Sequence, residues 1–68
     1  MEYFDYRNTA HEAGITDDQL ARIVAMEERE FPDSQMMCEL HVLRVCMAVR
    51  DGRITLDQAL AESDDGES

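Results

Sequence analysis

The sequence predicts an all-α fold: a small bundle of three to four short antiparallel helices built on a central two-faced helix at about 35–51, followed by a disordered acidic tail. Three observations predict it. Two stretches, Ile15-Thr-Asp-Asp-Gln-Leu20 and Ile54-Thr-Leu-Asp-Gln-Ala59, carry the same helix-start chemistry. Gly14, Pro32 and Gly52 punctuate the chain at helix-sized intervals. The most apolar run, Met36 to Val49, places its apolar residues at helical spacing.

The first helix is expected over 2–13, with Tyr3, Tyr6, Ala10 and Ala13 on its apolar side. The aromatic opening also fits an extended lead-in to a shorter helix capped at Asn8 or Thr9. Gly14 suits the left-handed residue that closes this helix. The second helix is expected over 17–30. Thr16 is its N-cap, Gln19 completes a capping box, and Ile15 and Leu20 stand at the two positions of a hydrophobic staple. Asp17 and Asp18 lie in the first turn, where the helix dipole favours negative charge. Leu20, Ile23, Val24 and Phe31 form its apolar face.

Pro32 disfavours helical geometry at Phe31, and Asp33 or Ser34 can cap the next helix. This third helix, over 35–51, carries two apolar seams at 100° per residue. Met36, Leu40, Leu43 and Met47 form one, and Cys38, Val42, Val45 and Val49 form the other on the opposite side. Glu39 and Arg50 fall in one of the polar strips between them, His41, Arg44 and Asp51 in the other. Such a helix is central, and each seam needs cover. The second helix suits one seam; the first helix, with Ile54, Leu56 and Leu60 from the chain's end, suits the other. If a seam stays open to a partner or a second copy, it is the Met/Leu one, because Met recurs at adaptable binding surfaces whereas Cys and Val favour full burial.

Gly52 closes the third helix, and Thr55 with Gln58 starts a fourth over 56–62. The repetition of the two starts reflects shared capping chemistry and is too short for a structural repeat. The domain is therefore expected at 1–61. Residues 62–68, Glu-Ser-Asp-Asp-Gly-Glu-Ser, contain nothing apolar to bury.

A chain of 68 residues sits near the lower limit at which one core offsets chain entropy, so helix packing or a second subunit has to be good. A disulfide is not expected: Cys38 and Cys46 on one helix lie roughly 12 Å apart along its axis. Free thiols fit a reducing, cytoplasmic setting. The opening MEYFDYRN has neither a basic nor an apolar leader segment, and Glu39, His41 and Arg44 interrupt the apolar run, so neither a signal peptide nor a membrane span is expected.

Motifs that carry chemistry are missing at the required spacing. Cys38, His41 and Cys46 lack the paired spacing of a zinc site, and no orienting group accompanies Cys38 and His41 as nucleophile and base. Asp51 to Gln58 resembles the second half of an EF-hand loop, but its first ligand positions would be Met47 and Val49, and Gln58 replaces the final Glu. His11-Glu12 has no second His at helical spacing. No cofactor and no catalytic residue is therefore predicted.

What remains is charge. Sixteen acidic residues face six arginines and no lysine, for a formal net charge of −10. Direct binding to nucleic acid or anionic lipid is disfavoured, and a basic protein or protein complex is the natural partner. Acidic, Lys-free chains also arise from GC-rich or salt-adapted genomes, so acidity alone does not assign a role. The candidate partner-binding residues are Asp17, Asp18, Glu27, Glu28, Glu30 and Asp33. Carboxylates at the end of the second helix oppose its dipole and so do not serve the helix. Glu27 conflicts with its surroundings: it falls between Val24 and Phe31 on the apolar face, where it needs an arginine such as Arg44 or Arg50, or a basic partner.

Together these features predict a small acidic inhibitor or adaptor. It would dock on a basic surface of a nucleic-acid-binding complex, as phage proteins directed at CRISPR or restriction systems do, with nucleic-acid mimicry as its mode. Two other readings stay open: a structural homodimer joined through the Met36, Leu40, Leu43, Met47 seam, and a zinc-stabilised module.

Overall fold

The computed structural model describes residues 2–61 and is all-helical, a compact bundle of four helices. The helices are α1 (Tyr6–Glu12), α2 (Asp17–Glu30), α3 (Gln35–Arg50) and α4 (Leu56–Ala61). The acidic stretch expected as a tail lies outside the described residues.

Local chemistry sets the boundaries. Thr16 Oγ1 accepts from the Gln19 backbone N–H at 3.2 Å while the Thr16 N–H donates to Gln19 Oε1 at 2.9 Å, and Thr55 and Gln58 repeat the exchange at 3.0 and 2.9 Å. Each box satisfies donors that the first turn leaves without intrahelical acceptors. Ser34, rather than Asp33, caps α3 through the Met37 N–H. Gly14 and Gly52 adopt φ of +76° and +77°. Behind each, paired hydrogen bonds close the helix: Gly14 N–H to the His11 carbonyl with Ile15 N–H to Ala10, then Gly52 N–H to Val49 with Arg53 N–H to Ala48. This closure requires a left-handed residue, and glycine supplies it without a Cβ penalty.

The first helix is shorter than the expected 2–13, and its cap is neither Asn8 nor Thr9. Asp5 caps it by accepting from the Asn8 N–H, and residues 2–5 form a non-helical lead-in. The physical reason lies about thirty-five residues away. Glu39 accepts hydrogen bonds from the backbone N–H groups of Tyr3 and Phe4, which draws the lead-in onto α3. At the other end, Arg50 bonds Glu12 at 3.2 Å. Two tethers of nearly equal sequence separation show that α1 and α3 run in the same direction, with α2 returning between them in chain order.

α1 and α2 both pack on α3, and α4 touches α2 and α3. Tyr6 and Ala10 of α1, Leu20 and Ile23 of α2, Cys38, Val42 and Cys46 of α3 and Leu60 of α4 join in one buried cluster, with Ile15 beside them. This corrects the expected division of labour, in which α2 covers one seam of α3 while α1 and α4 cover the other. Helices packed at 8–10 Å around one compact strip make a single core more readily than two thin ones. Cys46, assigned to neither seam, is fully buried in that strip. Val45 and Val49 flank it half-buried.

Candidate functional site

Three groups of residues shape the surface, two of them singled out from the sequence. Asp17 and Asp18 are exposed at the start of α2, and Glu28, Glu30 and Asp33 are exposed at its end and in the turn beyond it. Glu27 does not belong with them. It is 5% exposed, so it is not available as a surface contact. Of the two arginines considered as its partner, Arg50 is engaged by Asp51 at 3.1 Å and by Glu12, and Arg44 is exposed. The exposed side of α2 is also less uniform than a count of acids implies, because Arg22 and Arg29 share it at helical spacing.

The Met/Leu seam is not closed. Met36 is 48% exposed, and Leu40, Leu43 and Met47 are each half-buried. Leu43 packs against the core cluster.

The third group is a groove whose make-up sequence reasoning missed. It has a volume of about 480 Å³ and runs between the lead-in, the end of α2 and the start of α3. Tyr6, Val24, Phe31 and Cys38 give it an apolar lining, while Glu2, Glu28 and Glu39 bring carboxylates to it. Phe31 is held in place by stacking on His41, ring centroids 4.5 Å apart. A smaller cleft of about 330 Å³, bordered by Asp17 and Arg7, shares Tyr6 and Val24 with it. Asp17 borders the smaller cleft and Glu28 the larger groove.

Glu39 is a buried carboxylate met by three donors. It is 5% exposed and accepts from Gln35 Nε2 at 2.6 Å as well as from the Tyr3 and Phe4 N–H groups. Burial pushes its carboxyl up, but the bonds from Gln35, Phe4 and Tyr3 outweigh burial and hold it below the usual 4.5. The Gln35–Glu39 spacing of four was readable as a helix-surface pair. The reach of Glu39 to the chain's start has no local signature. Glu2, across the groove, pairs with Arg7 at 2.9 Å, and the Arg7 guanidinium lies over the Tyr6 ring, 5.4 Å from its centre.

Both cysteines are buried free thiols. Burial pushes the Cys46 thiol up to about 11. Burial also raises Cys38, and the charges of Glu28, Glu27 and Glu39 raise it further. Neither has the lowered pKa of an activated thiol. Among the described residues no three His, Cys, Asp or Glu side chains come together to hold a metal ion, and no helix is long and apolar enough to cross a membrane. Compared with known proteins, the chain matches no family model, no curated protein and no solved structure.

Proposed function

We propose that this chain is a small acidic protein-binding module, without catalytic activity or cofactor, that acts in the cytoplasm by docking on a basic surface of a nucleic-acid-binding complex. An inhibitor or adaptor of the anti-CRISPR or anti-restriction kind fits best, with carboxylates occupying positions where phosphates would otherwise sit. The observation that carries the reading is the exposure of Glu28, Glu30 and Asp33 together at the end of α2. There they add to the negative pole of the helix dipole instead of offsetting it. Carboxylates placed where they oppose the helix dipole are suited to an external cation. Long-range attraction from the excess negative charge speeds the encounter, and the contacts set where it ends.

The test is affinity capture from the native host with the wild-type chain and with the double variant Glu28→Lys/Glu30→Lys. A nucleic-acid-binding protein should be retained by the wild type and lost with the variant, whose fold is unchanged by circular dichroism. Equal retention by both chains counts against the reading.

A second reading is favoured by one observation, the 48% exposure of Met36 at the head of the half-open seam. A homodimer joined through Met36, Leu40, Leu43 and Met47 would cover it. Sedimentation equilibrium separates the two, because a monomer at tens of micromolar excludes an obligate dimer.

A further inference from the structure

The groove between the lead-in to α1 and the α2–α3 turn has a shape and a lining that the overall acidity does not explain. Its volume of about 480 Å³ falls within the roughly 300–1,000 Å³ over which protein pockets hold small ligands or anchoring side chains. We propose that it receives one arginine side chain projecting from the partner, the stem lying against Val24 and Phe31 and the guanidinium reaching Glu28 within the field of buried Glu39. The inference rests on the protein-docking reading and deepens it, replacing a diffuse acidic face with one seat.

Charge complementarity selects a cation. No Arg, Lys or His is found among the described residues that line the groove, and three glutamates do line it. Arg7 balances Glu2 from outside, and Glu39 is buried with the positive amino terminus acting on it, which leaves exposed Glu28 as the carboxylate open to the cavity. Glu39, accepting from Tyr3, Phe4 and Gln35, is fixed behind this lining and adds its negative charge there. The end of α2 adds the negative pole of its dipole at the same place. The Cys38 thiol reports the resulting field: burial raises its pKa first, and Glu28, Glu27 and Glu39 raise it further.

The lining then selects among cations. A compact, strongly hydrated ammonium gains little from Tyr6, Val24, Phe31 and Cys38. A guanidinium is planar and weakly hydrated, stacks on aromatic rings and donates in a fork that matches carboxylates. The molecule shows this chemistry once already, with Arg7 over Tyr6 and on Glu2. A metal ion is a poorer fit, since the described acids and thiols do not converge into a ligand set.

The experiment is a two-dimensional ¹⁵N–¹H titration of the full chain with Nα-acetyl-arginine amide, repeated with the lysine analogue and with the uncharged, similarly shaped citrulline analogue. Arginine should shift resonances confined to Tyr6, Val24, Glu28, Phe31, Gln35 and Cys38, with a Kd of about 10 mM. Lysine should bind several-fold more weakly and citrulline not measurably. Glu28→Gln, an exposed site whose change leaves the fold intact, should weaken arginine about fivefold, or roughly 1 kcal/mol. Shifts spread equally over Asp17, Asp18, Asp51 and Asp57, equal response to lysine, no effect of Glu28→Gln, or no shift at all would each overturn the proposal. If the arginine analogue fails while basic proteins are still captured in a charge-dependent way, the seat is wrong and the docking surface stands. If the analogue binds as described and no basic protein is captured, the seat stands and the docking reading fails.

Discussion

Cys38, Val42 and Cys46 run down one side of α3 and are at most 6% exposed, whereas Met36, Leu40, Leu43 and Met47 run down the opposite side and none of them is fully buried. Both sides are apolar at helical spacing, so hydrophobicity alone does not distinguish them. Side-chain shape does. The closed side presents compact groups, and Ala10 of α1, 1% exposed, joins them in the same cluster, so backbones can approach closely and side chains fill a small space completely. The half-open side presents long, flexible groups that tolerate a partly wet surface. In a chain this short, one well-packed side holds the fold together and leaves other surfaces free for binding.

The strongest way to break this comparison is to place the same charge on each side. Val42→Asp buries an unpaired carboxylate and should cost more than the roughly 3–5 kcal/mol that a core of this size supplies, leaving the chain unfolded by circular dichroism. Met36→Asp should stay within about 0.5 kcal/mol of wild type in urea titration. Equal tolerance of the two would erase the distinction between the sides.

A smaller effect is expected from alkali. The Cys46 thiol titrates near 11 in the fold against an ordinary 9.0, so the neutral thiol is favoured by folding. That contribution is complete below pH 9.0 and is lost as pH rises through about 11. The loss should be up to about 3 kcal/mol, and Cys46→Ala, less stable at neutral pH, should show a shallower alkaline slope. Parallel slopes would mean that solvent reaches the thiol and the side is not sealed.

The Glu39 clamp sits at the edge of the closed side, and its effect should be smaller still. Glu39→Gln should cost about 1 kcal/mol, since charge-assisted bonds to Tyr3 and Phe4 become neutral ones. Its pKa is lowered in the fold, so its contribution is present above the ordinary 4.5 and is lost as pH falls through the depressed value. The stability gap between wild type and Glu39→Gln should therefore narrow in acid, while the relief of carboxylate repulsion affects both chains alike. A gap that does not change with pH would place the clamp outside the stability of the fold.

The range of each interaction decides how far it is legible in the sequence. Thr16 with Gln19, Thr55 with Gln58, Gly14 and Gly52 act within a few residues, and the structure places each as its local pattern requires. The start of α1 departs from its local pattern because Glu39, more than thirty residues on, captures the lead-in. Met26 is buried although it was not assigned to the apolar stripe of Leu20, Ile23, Val24 and Phe31, whereas Glu27, which the spacing puts on that stripe, is buried with it. Periodicity describes one helix, whereas burial depends on where its neighbours lie. The groove was hidden for the same reason: Tyr6, Val24, Phe31 and Cys38 belong to different segments and meet only in the folded chain.

The most direct measurement of the docking reading is the dissociation constant of the captured host protein for wild type, Glu28→Lys/Glu30→Lys and Met36→Ser, at about 50 mM and about 500 mM salt. Binding led by carboxylates should weaken at least tenfold on charge reversal and with added salt, and Met36→Ser should leave it within about twofold. Affinity that survives charge reversal and high salt but collapses with Met36→Ser would contradict the reading and point to the Met/Leu side of α3.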